Sequence, residues 1–206
     1  MFKQICLTTS ILIMLTNCNV TERNEASILS DRCKRNIKQT VILAMHGAPP
    51  AGFPREELEE LVSLHERLEG QPDGKDSARE QQHAKLDAKI RAWPRTPQND
   101  PFYFASERMA QGLSRELGCE VIAGFNEFCA PDIDQAIDRA ATEGAGRIIV
   151  ITPMLTSGGR HAAEDIPEII KRAKEKYPYI PIVYAWPFGE DDITGFLAGQ
   201  IRKYTK

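Results

Sequence analysis

The chain has 206 residues, a net charge of −3 at pH 7 and 42% hydrophobic residues. This length accommodates one α/β domain with a substantial core. The slightly acidic balance lacks the basic footprint of a nucleic-acid-binding protein, so we expect no nucleic-acid partner. The sequence contains no Cys-x-x-Cys pair. This cysteine usage indicates neither a disulfide framework nor a structural zinc site.

Residues 1–20 predict an N-terminal leader. Lys3 is followed by an uncharged run to Thr16, which is shorter than the about 20 apolar residues of a membrane span and typical of a secretory signal. The residues Leu-Thr-Asn-Cys, ending at Cys18, are similar to a bacterial lipoprotein cleavage box, although Asn17 departs from the small residue expected there. We therefore expect a periplasmic protein or a lipoprotein anchored to the membrane through Cys18, with a cytoplasmic protein as the alternative.

The remainder of the chain predicts one domain after a short linker. Residues 21–38 are polar and are assigned to the linker, and residues 39–206 form the predicted domain. The domain opens with the β-rich run QTVILAM at 39–45, which predicts a strand. This strand ends at His46, directly before a glycine.

A charge-dense segment predicts a helical insertion at about residues 53–100. The turn sequence QPDG at 71–74 separates two parts of helical character, which together predict a helical hairpin. His65 and His83 lie in this hairpin, and we interpret both as solvated surface residues. One helical face carries four leucines, namely Leu58, Leu61, Leu64 and Leu68.

The second half of the chain alternates between strands and helices. Predicted strands span 119–125, 146–153 and 180–186, and predicted helices span 102–117, 130–145, 165–177 and 191–204. This alternation indicates βαβ units, a parallel sheet and helices on both of its faces. We predict an α/β fold with an open four-stranded parallel sheet. Pro131 is expected in the first turn of its helix, and Asp165 with Glu168 is expected to form a capping box.

Three side chains with ligand chemistry follow predicted strands. His46 follows the first strand, Glu127 the second and His161 the third. Ligands of open parallel sheets bind beyond the carboxyl ends of the strands, so these side chains are expected to meet at one edge. Two imidazoles and a carboxylate suit a divalent cation such as Co²⁺, Ni²⁺, Fe²⁺ or Zn²⁺. The alternatives are that His46 is a hydrogen-bonded turn histidine and that Glu127 faces solvent.

The same residues carry a family likeness. The stretch VILAMHGAPP and the stretch from residue 119 to 204 resemble the class II tetrapyrrole chelatases, the small sirohydrochlorin cobaltochelatase and ferrochelatase type. The likeness covers about half of the chain, and the element GGRHAAEDIP is its most specific part. The matched positions are Phe125, Glu127, Pro131, Leu155, Gly158, Gly159, His161, Asp165, Ile166, Pro167, Pro187 and Gly189.

This resemblance implies a function and roles for the matched residues. His46 and His161 would bind the metal and accept protons, and Glu127 would be their acidic partner. The metal (Co²⁺, Fe²⁺ or Ni²⁺) would be a substrate, no organic cofactor is expected, and the second substrate would be a sirohydrochlorin-like tetrapyrrole. A homodimer is expected, since single-unit members of the family form one. The predicted substrate-binding residues are Gly47, Ser157, Gly158, Gly159 and Arg160.

Several departures keep a second hypothesis open. The family usually has serine after its His-Gly pair, and this chain has Ala48. The insertion at 53–100 and the leader are also unusual for the family. The alternative is an exported, non-catalytic protein that binds a metal, a tetrapyrrole or haem on the same fold. A hydrolase that uses His46 as its base or nucleophile has less support, because the sequence has neither a Gly-x-Ser-x-Gly elbow nor a glycine-rich phosphate loop.

Overall fold

The computed structural model of the protein describes residues 37–70 and 77–205. Its strands are β1 (Gln39–Met45), β2 (Glu120–Phe125), β3 (Arg147–Ile151) and β4 (Ile182–Tyr184). Its helices are α1 (Arg55–Gly70), α2 (Ser77–Arg91), α3 (Pro101–Leu117), α4 (Ile133–Thr142), α5 (Ile166–Lys176) and α6 (Glu190–Arg202), and a π-helical turn at His161–Asp165 leads into α5. The predicted leader and its lipid attachment at Cys18 lie outside the described residues.

The four strands form one parallel sheet in the order β2-β1-β3-β4, which confirms the predicted fold class. β1 lies between two neighbours, and six of its seven residues are buried. In the register of the sheet, Leu43 lies opposite Ala123 on one side and Ile151 on the other. This order brings the carboxyl ends of the first three strands together. β4 spans three residues rather than the predicted seven.

One face of the sheet is covered by α4 and α5. Buried isoleucines and alanines of both helices pack against buried side chains of all four strands. The helices carry Ile133, Ala136, Ile137, Ala140, Ile166, Ile170 and Ala173, and the strands carry Ile42, Ala44, Ile122, Ile148, Val150 and Ile182. Since the strand residues of this set follow a period of two, they mark one side of the sheet.

The opposite face is covered by α3 over β1 and β2. Ala110 of α3 is buried against Leu43, Met45 and Phe125. The N-terminus of α3 is capped by Asp100, whose side chain accepts a hydrogen bond of 2.8 Å from the backbone N–H of Tyr103. In contrast, α6 has no buried residue. No helix within the described ranges is both long enough and apolar enough to cross a membrane.

The predicted hairpin is present as α1 and α2, and it has a small core of its own. Leu61 of α1 is buried with Phe53 and with Leu86 and Ile90 of α2. The predicted leucine face of α1 is therefore confirmed at Leu61, and Leu58 and Leu64 pack partly buried against the same cluster.

Two local predictions about helix starts are wrong. Pro131 precedes α4 rather than opening it, because Asp132 is the N-cap residue and forms a capping box with Gln135. Asp165 makes no capping hydrogen bond. The π-helical turn runs directly into α5, so the backbone N–H of Ile166 already bonds to the carbonyl of His161. The carboxylate of Asp165 is thereby left available for another contact.

Candidate metal centre

The structure brings together the three side chains that follow the strands. His46 leaves the end of β1, Glu127 lies in the loop after β2, and His161 opens the π-helical turn. One ligand atom from each lies within 4.8 Å of the others, and all three residues are partly buried. The two imidazole rings meet edge to face with 4.6 Å between their centroids. Nε2 of His161 lies 3.8 Å from Oε1 of Glu127.

Nδ1 of each site histidine faces an oxygen that can only accept. Nδ1 of His46 lies 2.9 Å from the carbonyl oxygen of Gly47. Nδ1 of His161 lies 2.6 Å from Oδ2 of Asp165 and 2.7 Å from the amide nitrogen Nδ2 of Asn126. A proton on Nδ1 satisfies the oxygens of Gly47 and Asp165 and leaves the lone pair on Nε2; at His161 it also requires the Asn126 amide to turn its oxygen toward Nδ1. This tautomer is the one that a carboxylate-supported histidine ligand requires.

A close approach of two backbone segments aligns His46 with Glu127. The N–H of Glu127 donates to the carbonyl of His46 at 2.8 Å, which extends the pairing of β1 and β2 past their ends. Gly47 has a φ of +99°, and a Cβ built on it would lie 1.9 Å from the carbonyl oxygen of Glu127. Only glycine fits this position, so Gly47 has a structural reason for its identity. Its predicted contact with substrate stays a prediction.

Two aromatic residues, at the end of β4 and just after it, hold the chain before and after His161. Nε1 of Trp186 donates to the carbonyl of Met154 at 3.0 Å. The hydroxyl of Tyr184 donates to the carbonyl of Ala162 at 2.9 Å, and burial raises the pKa of Tyr184 to about 12. The predicted substrate-binding residues Ser157–Arg160 lie between these anchors as an exposed loop. Nothing lies within 4 Å of a Cβ built on Gly158 or Gly159, so the loop is open to a ligand there.

Comparison with known proteins places the chain in a family. The CbiX family model matches residues 103–198. The sirohydrochlorin cobaltochelatase of Saccharolobus islandicus (strain Y.G.57.14 / Yellowstone #1) is 34% identical over 107 residues, which cover 48% of this chain and 82% of that protein. The chain belongs to the CbiX family of class II chelatases. This membership confirms the resemblance that the motifs indicate.

Other family proteins are longer than the region shared with this chain. The sirohydrochlorin ferrochelatase of Priestia megaterium is 38% identical over 80 residues, which span 38% of this chain and only 30% of that protein. The crystal structure of the sirohydrochlorin chelatase SirB from Bacillus subtilis subspecies spizizenii in complex with cobalt superposes with a TM-score of 0.41 and 19% identity. That match covers 81% of this chain and 51% of SirB.

The hairpin of this CbiX family member contributes to the site. Its two histidines are predicted to be solvated surface residues, and the side chain of His65 is indeed 42% exposed, but both line a cavity beside the candidate metal centre. A cavity of about 430 Å³ is lined by His65 and His83 of the hairpin together with His46 and Glu127. Nε2 of His65 lies 3.9 Å from Oε1 of Glu127. The pKa of His83 is lowered, first by burial and then by the neighbouring imidazole of His65. The hairpin is therefore one wall of the cavity.

Two arginines fasten the hairpin to the Glu127 loop. Nη1 and Nη2 of Arg91 donate to the carbonyls of Cys129 and Asn126 at 2.5 and 3.1 Å. Nη2 of Arg95 donates to the carbonyl of Phe128 at 2.5 Å, and the same guanidinium forms a buried ion pair with Asp100. These contacts hold a strained segment, since Phe128 has a φ of +58°. Sequence reasoning missed both arginines, because their acceptors are backbone carbonyls.

Proposed function

We propose that the protein inserts a divalent cation (Co²⁺, Fe²⁺ or Ni²⁺) into sirohydrochlorin or a similar tetrapyrrole. The observation that carries this proposal is the convergence of His46, Glu127 and His161 on one point. Two donors bound to one tetrahedral ion at about 2.1 Å each lie about 3.4 Å apart. The three donors lie within 4.8 Å of one another, so side-chain rotations that bring them up to about 1.4 Å closer place them around one cation. The family membership supports the same activity.

The geometry supports a division of labour in the reaction. Nε2 of His46, Nε2 of His161 and a carboxylate oxygen of Glu127 replace water around the incoming cation. The cation then forms bonds to the ring nitrogens, two pyrrole N–H bonds break, and the two protons go to imidazole nitrogens released by the cation. Imidazole suits both tasks because it binds borderline metals reversibly and titrates near neutral pH. Glu127 offsets the charge of the cation throughout.

The surroundings of the site suit a flat ring with many carboxylates. Leu61, Val62 and Phe128 line the cavity and supply apolar surface for the face of a macrocycle. The exposed loop at Ser157–Arg160 supplies backbone N–H groups, and Arg160 supplies a cation for the carboxylates at the rim. We include Gly47 and this loop in the proposed substrate site.

A turnover assay tests the proposal. A catalytic amount of the full-length chain is incubated with sirohydrochlorin and, separately, Co²⁺, anaerobic Fe²⁺ and Ni²⁺, and the absorbance of the macrocycle is followed against a control without protein. We expect many turnovers per protein with at least one metal. A spectral change that stops at one ligand per site, with no acceleration of insertion, contradicts the proposal and favours the non-catalytic binder.

We also propose that the protein forms a homodimer through α6. This helix exposes a run of apolar side chains, with Phe196 67%, Ile201 61% and Tyr204 just beyond it 81% exposed. An exposed apolar face of this kind marks an interaction surface. We expect light scattering after size exclusion to give twice the 23.1 kDa mass of the chain. The double substitution Phe196→Asp and Ile201→Asp should convert the dimer to a monomer.

A matched control separates the loss of apolar contact from the added charge. Arg202 is exposed on the opposite side of α6, and Arg202→Asp, which changes the charge by the same two units, should leave the dimer intact. A monomeric wild-type protein, or a Phe196→Asp and Ile201→Asp variant that stays dimeric, refutes the proposed interface.

A further inference from the structure

The cavity contains a second pair of imidazoles that the proposed reaction does not use. His65 of α1 and His83 of α2 stack with 5.5 Å between their ring centroids and an interplanar angle of 24°. They are the remaining two of the four histidines of the chain. Both line the same cavity as His46 and Glu127. All four imidazoles of the protein therefore belong to one region.

Glu127 lies between the two pairs of imidazoles, His46 with His161 and His65 with His83. Its Oε1 atom is 3.8 Å from Nε2 of His161 and 3.9 Å from Nε2 of His65. Two donors of a tetrahedral cation lie about 3.4 Å apart, so both separations are about half an ångström longer than shared ligation requires. Small rotations of the side chains let one carboxylate oxygen share a cation with an imidazole on either side, and the His83 ring must turn out of its stack with His65 to join it.

The charge of the cavity wall favours a cation on the hairpin side. Glu66, Asp87 and Glu127 line the cavity, and Arg91 is the basic residue among the lining residues. Nε of Arg91 donates to Oδ2 of Asp87 at 2.7 Å, and its other nitrogens bond to backbone carbonyls of the Glu127 loop. All three nitrogens of the Arg91 guanidinium therefore already have acceptors. Three carboxylates and one guanidinium surround the imidazoles, which leaves an excess of negative charge.

Packing of the hairpin does not account for the imidazole pair. The two helices are joined by the buried cluster around Leu61, Leu86 and Ile90. On the exposed side, Nζ of Lys89 pairs with the carboxylate of Glu57 at 2.5 Å. Apolar contact and ion pairs thus already hold α1 against α2. The imidazoles lie on the side that faces Glu127.

We infer that His65 and His83, with Glu127, form a receiving position for a borderline divalent cation, from which Glu127 passes the cation to His46 and His161. The direction of this transfer rests on the proposed function, whereas the cation position itself does not. The hairpin would then be the part of the protein that captures the metal substrate before it reaches the macrocycle.

A titration without tetrapyrrole tests the cation position. In the full-length variant His46→Ala with His161→Ala, the hairpin pair supplies the only histidines left in the chain. We expect this variant to bind Co²⁺ in calorimetry and to show paramagnetically shifted imidazole N–H signals in proton NMR. Adding His65→Gln and His83→Gln should weaken this Co²⁺ binding by about 10-fold or more. No shifted imidazole signal in the first variant overturns the inference, whether or not the hairpin variant folds.

Steady-state kinetics test the transfer. In the otherwise wild-type chain, His65→Gln with His83→Gln should raise KM for Co²⁺ about 10-fold and leave kcat within about twofold. Gln81→Ala, an exposed substitution on α2, is the matched control and should change neither value. An unchanged KM overturns the receiving role. A wild-type protein without turnover that still gives the expected titration refutes the proposed function and supports the cation position.

Discussion

Substitution of His161 by alanine is expected to lower kcat/KM for metal insertion by about 100-fold or more. Nε2 of His161 is one of the three atoms that would bind the cation, and the same nitrogen accepts a proton when a pyrrole N–H bond breaks. Removal of one acid–base group typically costs about 10²–10⁴-fold, and removal of a ligand weakens metal binding in addition. The measurement is steady-state insertion into sirohydrochlorin with the metal that the wild-type protein uses fastest.

The unfolding midpoint in urea is the control for this variant. The side chain of His161 is 25% exposed and lies outside the buried clusters, so its loss should change the free energy of unfolding by about 1 kcal/mol or less. A folded His161→Ala protein with wild-type kcat/KM would remove His161 from the mechanism.

Substitution of the neighbouring Asp165 tests a residue that orients His161 but does not itself bind the cation. Asp165 contacts Nδ1 of His161 at 2.6 Å but is not among the three clustered candidate ligands. Asp165→Asn keeps the imidazole and weakens control of its tautomer, so its effect should be about 10-fold, below that of His161→Ala. Since the proton on Nδ1 is then less favoured, the pH profile of kcat should shift as well, which a purely structural role would not produce.

The approach of His46 and Glu127 could be predicted, because the residues that follow neighbouring parallel strands lie at the same edge of the sheet. His161 lies ten residues past the end of β3, so its place also depends on the contacts of Trp186 and Tyr184 with the intervening chain. The contact between His161 and Asp165 was missed, because an aspartate before Ile-Pro also fits a helix cap. The spacing of four residues between them was the available evidence, since residues four apart lie on one face of a helix.

The role of the hairpin could be predicted only in part. The charge density and the QPDG turn were sufficient to predict two helices, and the spacing of the leucines was sufficient to predict the face along which they pack. His65 lies five residues before the end of α1 and His83 six residues after the start of α2. Antiparallel helices place such positions opposite each other, so the imidazole pair could have been anticipated. The packing of the pair toward Glu127 depends on Arg91 and Arg95, whose carbonyl acceptors leave no pattern in the sequence.

Substitution of Gly47 by alanine is expected to destabilise the protein more than alanine at any other left-handed glycine among the described residues. The new Cβ would lie 1.9 Å from the carbonyl oxygen of Glu127 and 2.9 Å from its carbonyl carbon. The Glu127 peptide must therefore move by about 1 Å. Left-handed strain and overpacking each cost about 1–3 kcal/mol, so we expect the free energy of unfolding to fall by about 2–6 kcal/mol, measured by urea denaturation.

Gly52→Ala is the matched control for the clash. Gly52 has a φ of +89°, close to the +99° of Gly47, but nothing lies within 4 Å of a Cβ built on it. Both variants carry the left-handed strain, and only Gly47→Ala carries the collision. The difference between their unfolding free energies therefore measures the close approach alone. Equal destabilisation by the two substitutions would show that the Glu127 loop can yield without cost.

The shift of the Glu127 peptide in Gly47→Ala should lower the proposed activity as well as the stability. The Glu127 loop cannot shift freely, because Arg91 and Arg95 hold its carbonyls and its N–H is bonded to His46. A shift of about 1 Å breaks the hydrogen bond to His46 or moves the carboxylate away from His161 and His65. Gly47→Ala should therefore lose insertion activity even below the denaturant concentrations that unfold it, whereas Gly52→Ala should keep its activity. Retained activity in a folded Gly47→Ala protein would mean that the position of Glu127 does not control the reaction.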